Sequence, residues 1–194
     1  MRLFRMLSLL LVVAAPAAFA DSPYQVEMIL VRQNAEPVIN SRAAPENWDA
    51  GAVRLGDRLS PPRLSNIVDK LRADSTYTVL LHKAWEQNLG EQPVKVAITD
   101  GQEQFGQFPI EGVLSLQLGR FTDIDANFWI NQFDANGSVI ASEHLSQTDV
   151  RTKNNQLNYL DGGHLALLIK ITSLTAKPPA HHRRTCRTDP SPCP

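Results

Sequence analysis

The stretch that decides the fold runs from Gly112 to Phe133 and reads GVLSLQLGRFTDIDANFWINQF. Most of its even-numbered residues are apolar, and most of its odd-numbered residues are polar. Because a β-strand points successive side chains to opposite faces, this alternation predicts one apolar face and one water-facing side. The later part of that side, called the polar face below, consists of Asp123, Asp125, Asn127, Trp129 and Asn131. We predict that the segment forms the centre of an antiparallel sheet.

The alternation keeps its register across Gly119. A two-residue hairpin there would turn Asp123 and Asp125 towards the core, where unpaired carboxylates are costly. Two arrangements keep the register: one long strand that bends at Gly119, or two strands joined by a three-residue turn. Since residues 119–121 are a weak turn signal, we predict the bent strand.

The N-terminus has the pattern of a secretory signal peptide. Arg2 and Arg5 precede an apolar run at 7–15, and residues 18–20 (AFA) form a small-residue cleavage site. The alternative is a membrane anchor, but the apolar run is shorter than the roughly 20 residues that span a bilayer. We predict a signal peptide at 1–20 and an exported protein with no membrane span after signal removal.

The predicted mature domain, residues 21–174, carries 13 Lys and Arg against 19 Asp and Glu, a net charge of −6. An acidic domain lacks the positive surface that attracts nucleic acids and anionic membranes, so we expect neither as a partner. The cysteines of the chain, Cys186 and Cys193, lie outside this domain. Its fold must therefore be held together by packing.

Hydrophobic patterns in the domain predict one helix and several strands. The first strand, at 24–32, ends in an apolar run suited to a central position, and Asn136-Gly137 is the strongest hairpin signal. Apolar residues at helical spacing predict a helix, with Ser60 as its cap. These residues are Leu64, Ile67, Val68 and Leu71. Further strands are predicted at 77–85, 94–99, 139–151, 157–160 and 164–172. The sequence predicts a single α+β domain, a largely antiparallel sheet with one main helix packed on one face.

A long, proline-punctuated loop at 34–62 separates the first strand from the helix, and only Val53 and Leu55 in it look buried. Connections of this length are often functional or mobile. Trp48 lies within the loop. It either pins the loop to the sheet or contacts a ligand, and we favour the anchoring role because an indole buries a large area.

The C-terminal segment at 175–194 is rich in proline and arginine, so we predict a disordered tail. It holds His181, His182 and the two cysteines. Their spacing fits no standard zinc module, and a small disulfide loop between Cys186 and Cys193 is the open alternative. We expect neither a metal nor a cofactor.

The polar face has the chemistry of a sugar-binding surface. Carboxylates and amides bond hydroxyl groups and amines, and an indole stacks on a sugar ring. The candidate ligand-binding residues are Asp123, Asp125, Asn127 and Trp129. The alternative is the water-facing side of an ordinary antiparallel strand, which has this composition by default.

An acid–base pair can also be assembled from Asp123 and Asp125 with His82 or Glu86. Alternate carboxylates on one strand face lie about 7 Å apart, a separation that glycoside hydrolysis uses. No nucleophile elbow or glycine-rich oxyanion loop accompanies them in the sequence. We therefore expect no catalytic residues, with a hydrolase and a pure protein adaptor as the alternatives.

Four stretches follow one another in a characteristic order. They are YQVEMILVRQ at 24–33, YTVLLHKAWEQ at 77–87, GRFTDIDANFW at 119–129, and LNYLD at 157–161. In this order they resemble the CsiV family of periplasmic peptidoglycan-binding proteins. The chain departs from the family where Asp161 is followed by two glycines in place of His-Pro, and where it continues beyond Thr172.

The resemblance implies a periplasmic, non-catalytic protein that binds peptidoglycan, uses no cofactor and supports cell-wall synthesis. It also points to regulators of class A penicillin-binding proteins as candidate protein partners. It transfers no ligand residues, so the site prediction depends on the polar face alone.

Overall fold

The computed structural model describes residues 21–56 and 58–175. The predicted signal peptide at 1–20 and the predicted tail beyond Thr175 lie outside these residues. The same holds for His181, His182, Cys186 and Cys193. Within the described ranges, no helix is long and apolar enough to cross a membrane.

The described residues form ten strands and one helix. In chain order they are β1 (Ser22–Gln33), β2 (Asn40–Ser41), β3 (Val53–Arg54), α1 (Ser65–Ala73), β4 (Tyr77–Leu89), β5 (Val94–Asp100), β6 (Ile110–Leu118), β7 (Thr122–Phe133), β8 (Val139–Thr152), β9 (Leu157–Asp161) and β10 (Leu165–Ser173). β-Strands thus dominate the domain, and the single helix is short.

The strands form two sheets, so the prediction of a single sheet is wrong. A four-stranded sheet has the order β4-β1-β10-β9, and a six-stranded sheet has the order β2-β8-β7-β6-β5-β3. Neighbouring strands are antiparallel, except for the parallel pair of β3 and β5. As predicted, β1 occupies an interior position.

The two sheets share one apolar core. Val26, Met28 and Leu30 of β1 belong to the same buried cluster as Ile124 and Phe128 of β7. Two apolar sheet faces bury far more area against each other than one sheet buries against a nine-residue helix. This explains why the strands divide into two sheets.

The central segment is a pair of strands, so the bent strand is wrong and the three-residue turn is right. β6 and β7 run antiparallel, with Leu118 opposite Thr122. Residues 119–121 connect them, and the N–H of Gly119 donates to the carbonyl of Phe121 over 2.8 Å. The turn keeps the parity of the alternation, so Asp123, Asp125, Asn127 and Trp129 are half-buried on one face of β7, whereas Asn131 on the same face is buried.

The helix lies against residues of the four-stranded sheet. Leu64 and Val68 form a second buried cluster with Ile29, Val31, Ala166 and Leu168. The prediction that Ser60 caps the helix is wrong, because α1 begins at Ser65. Its N-cap residue is Leu64, whose side chain makes no capping hydrogen bond. Instead, the buried carboxylate of Glu27 accepts the N–H groups of Arg63 and Leu64 over 2.8–3.0 Å.

Residues 42–52, which we call the strap, connect the two outer edges of the six-stranded sheet. At one end β2 pairs with β8, where Asn40 lies opposite Glu143. At the other end β3 pairs with β5, where Val53 lies opposite Val96. Of the two loop residues predicted to be buried, Leu55 is 7% exposed, whereas Val53 is 47% exposed. Because its ends lie on opposite edges, the strap crosses the full width of the sheet.

Candidate functional site

A cleft of about 260 Å³ lies between the strap and the polar face of β7. The strap contributes Pro45, Asn47, Trp48 and Ala50, and the sheet contributes Lys95, Val113, Ser115, Asp125, Asn127 and Trp129. Ala44 of the strap is buried, and its carbonyl accepts a hydrogen bond from the side-chain amide of Gln107 over 3.1 Å. This contact fixes the strap beside the cleft. The cleft is thus built from the long loop and the water-facing side of the sheet.

Asp125, Asn127 and Trp129 form the floor of the cleft along β7, and each is half-buried. They occupy alternate positions of one strand, so their side chains share one face. The structure therefore brings together three of the four residues that the sequence predicted as ligand-binding.

The first two floor residues each retain free hydrogen-bonding capacity. The Oδ1 atom of Asp125 accepts the N–H of Asp149 over 2.9 Å, and Asp149 holds a left-handed backbone with φ of 56°. The Oδ1 atom of Asn127 accepts the hydroxyl of Ser146 over 2.9 Å. Among the described residues, nothing bonds Asp125 Oδ2 or the Asn127 amide nitrogen. These atoms are available to a ligand.

Trp129 is held in place by a neighbour on β8. The imidazole of His144 stacks on its indole, with ring centroids 4.4 Å apart. Burial lowers the pKa of His144, and its buried Nε2 atom has no hydrogen-bond partner among the described residues. One face of the indole is therefore occupied, and the remaining half-exposed surface borders the cleft.

Trp48 lines the cleft from the strap side and is half-buried. The backbone N–H of Trp48 donates to the carbonyl of Pro45 over 3.0 Å, which shapes a tight turn within the strap. The two predicted roles of this indole are therefore compatible. Part of it is buried with the strap, and part of it lies beside the cleft that also contains Trp129.

Asp123 lies apart from the cleft. Its carboxylate pairs with Arg151 over 3.4 Å, in a shallow depression that also contains Arg120 and Phe121. The depression is at the β6–β7 turn, whereas the cleft is nearer the middle of β7. Asp123 thus shares a strand face with Asp125 without sharing its site.

Asn131 occupies the polar face in sequence but is 6% exposed in the structure. Its Nδ2 donates to Glu111 Oε1 over 2.7 Å and to the carbonyl of Phe108 over 2.9 Å, and its Oδ1 accepts the hydroxyl of Ser142 over 2.6 Å. Burial raises the pKa of Glu111, and the nearby carboxylate of Asp49 adds to this effect. Asn131 is a structural residue that joins β7 to β6, to β8 and to the loop that precedes β6.

The residues of the alternative acid–base pair are divided between the sheets. His82 and Glu86 belong to β4 of the four-stranded sheet. The Nε2 atom of His82 contacts the Glu27 carboxylate over 2.8 Å, beneath the start of α1. Neither side chain belongs to the cleft.

Within residues 21–56 and 58–175, no three His, Cys, Asp or Glu side chains lie close enough together to hold a metal ion.

Lys95 and Ser115 of the cleft were not among the predicted site residues. Each lies on the same face of the sheet as Asp125 does, although Ser115 itself is buried. Lys95 lies opposite Ser115, and Ser115 lies opposite Asp125. The alternation of the central segment places Ser115 on its polar side, but the position of both residues beside Asp125 depends on the register between strands.

An open cleft lined by an acid, two amides, a lysine and two indoles is a candidate site for a polar ligand. The model of the family described as "Peptidoglycan-binding protein, CsiV" matches residues 57–174, and the chain belongs to this family. The match confirms the resemblance seen in the sequence. The cleft floor lies within the matched residues, whereas the strap precedes them. No curated protein and no solved structure matches the chain.

Proposed function

We propose that this protein binds peptidoglycan in the cleft beneath the strap, acts in the periplasm without catalysis, and supports cell-wall synthesis. One observation carries the proposal: the cleft joins the indoles of Trp48 and Trp129 to the free polar atoms of Asp125 and Asn127. The description of the family supports the same polymer. Regulators of class A penicillin-binding proteins remain candidate protein partners.

The lining suits a polymer of sugars and short peptides. Indole surfaces supply the apolar area on which sugar rings stack. Amides donate and accept hydrogen bonds, as hydroxyl and acetamido groups require, whereas a carboxylate accepts only. Because the cleft is open and half-polar, it fits a segment of an extended chain better than a small apolar molecule.

The arrangement of carboxylates favours binding over hydrolysis. Glycoside hydrolysis places two carboxyl groups on either side of one bond. Here Asp123 is paired with Arg151 outside the cleft, and Asp125 is the carboxylate that lines it. The position of these two residues therefore supports a binding protein.

Sedimentation with purified, insoluble peptidoglycan sacculi tests the proposal. Trp129→Ala and Trp48→Ala should each lower the affinity for sacculi by about thirtyfold, the loss expected of an aromatic hot spot. Asn127→Ala should cost less, about fivefold, because it removes one exposed hydrogen-bonding group. Tyr159→Ala is the matched control, since this aromatic residue is 49% exposed on β9 of the other sheet.

Three results would contradict parts of the proposal. A wild-type protein that stays in the supernatant does not bind the polymer. Folded cleft variants that pellet like the wild type place the site elsewhere on the molecule. Release of soluble fragments from the sacculi during the assay identifies a hydrolase. Thermal melts of each variant separate lost binding from lost folding.

A further inference from the structure

Two opposite charges lie in one row across the cleft floor. Lys95 of β5 pairs with Ser115 of β6, and Ser115 pairs with Asp125 of β7. Adjacent strands lie about 4.8 Å apart, so the Cα atoms of Lys95 and Asp125 are separated by about 10 Å. Ser115 is 7% exposed between them. The row therefore presents a cation and an anion to the same side of the cleft.

Both charges are available. Among the described residues that line the cleft, Lys95 and Asp125 are the charged ones, and neither forms an ion pair. Lys95 is exposed and Asp125 is half-buried. Asp49 of the strap, which does not line the cleft, is engaged by Arg54 over 3.2 Å. A ligand in the cleft would thus meet one unpaired ammonium group and one unpaired carboxylate.

A neutral sugar would make poor use of this row. Covering both charges with an uncharged ring removes water from them without supplying a counter-charge, which is costly. A ligand that carries an ammonium group and a carboxylate replaces the lost water with two charge-assisted hydrogen bonds. The row therefore favours a zwitterionic ligand over a bare glycan.

We propose that the cleft recognises the peptide stem of the polymer, with a free stem amine at Asp125 and a stem carboxylate at Lys95. This inference rests on the proposed function and names the part of the polymer that is read. Cross-linking converts a stem amine into an amide and removes its charge. The cleft therefore distinguishes stems that are not yet cross-linked from those that are.

Chemically modified sacculi test each charge separately. One preparation has its free amines acetylated, a second has its free carboxylates amidated, and a third is untreated. Wild-type protein should bind each modified preparation about two- to fivefold more weakly than the untreated one, because half-exposed ion pairs contribute modestly. Peptide-free glycan chains should compete poorly with untreated sacculi.

Two variants connect each modification to its residue. Asp125→Asn keeps the acceptor for the Asp149 N–H, so it removes the charge while preserving the fold. It should become insensitive to acetylation and stay sensitive to amidation. Lys95→Gln should show the reverse. Asp69→Asn and Lys70→Gln on the exposed side of α1 are matched controls and should behave like the wild type.

The outcomes separate this inference from the proposed function. Equal pelleting with all three preparations overturns stem recognition and leaves peptidoglycan binding intact. An Asp125→Asn protein that still responds to acetylation overturns the assignment of the amine to this residue. Failure to pellet with untreated sacculi contradicts the proposed function itself.

Discussion

The imidazole of His144 lies flat against the indole of Trp129, with centroids 4.4 Å apart and ring planes 7° from parallel. The two residues lie opposite each other on β8 and β7. The stack fixes the indole at the edge of the cleft, and it places a titratable group directly behind a candidate binding residue. Burial lowers the pKa of His144, so the folded protein favours the neutral ring.

This arrangement predicts that stability falls in mild acid. In the unfolded chain His144 takes up a proton near pH 6.5, whereas the folded protein takes it up only at lower pH. Its contribution to stability is therefore complete above pH 6.5 and is lost as the pH falls through the lowered pKa of the folded state. Urea unfolding of the wild type between about pH 7.5 and pH 5 should show this loss.

His144→Phe is the control, because it keeps a stacked ring and removes the titration. The variant should lose less stability than the wild type over the same pH range. Glu111 acts in the opposite direction, since its raised pKa favours the folded state as the pH falls. It is present in both proteins, so it cancels in the comparison. Equal pH slopes for the two proteins would contradict the prediction.

Asn131→Ala should destabilise the fold by about 3 kcal/mol, because it leaves buried Glu111 and Ser142 without their partner. Asn127→Ala, four positions earlier on the same face, should cost less than about 1 kcal/mol because Asn127 is half-exposed. Urea unfolding at neutral pH measures both. If the two variants are equally stable, the hydrogen bonds of Asn131 to Phe108, Glu111 and Ser142 do not stabilise the fold.

Val68→Asp should unfold the domain or destabilise it by about 3 kcal/mol or more, because Val68 is 3% exposed and the new charge would be unpaired. Ile67→Asp should cost less, since Ile67 is only partly buried. Asn66→Asp on the exposed side of α1 is the matched control. A Val68→Asp protein with a normal melting temperature would show that α1 does not contribute to stability.

The alternation in the central segment correctly predicted the apolar face of β7. Ile124, Ala126 and Phe128 are fully buried, whereas Asp125 and Trp129 are half-exposed. The turn at 119–121 was the less favoured of the two predicted arrangements because its residues have little turn preference, and the long pairing of β6 with β7 decides the local conformation.

The position of the strap could not be predicted from its own sequence. Its path is set by β2 and β3, and each has only two residues, too few to leave a periodic pattern. The burial of Asn131 was missed for a different reason. The carbonyl of Phe108, which accepts its hydrogen bond, belongs to a loop that is distant in sequence. The proximity of Lys95 to Asp125 likewise depends on three strands in register.

The attachment of the strap at both sheet edges also bears on the entropy of binding. A lid with one free end loses much conformational freedom when it closes on a ligand, and that loss weakens the complex. A segment that is hydrogen-bonded to β8 at one end and to β5 at the other has already lost most of this freedom on folding. The cleft is therefore preorganised, so ligands should differ mainly in their dissociation rates.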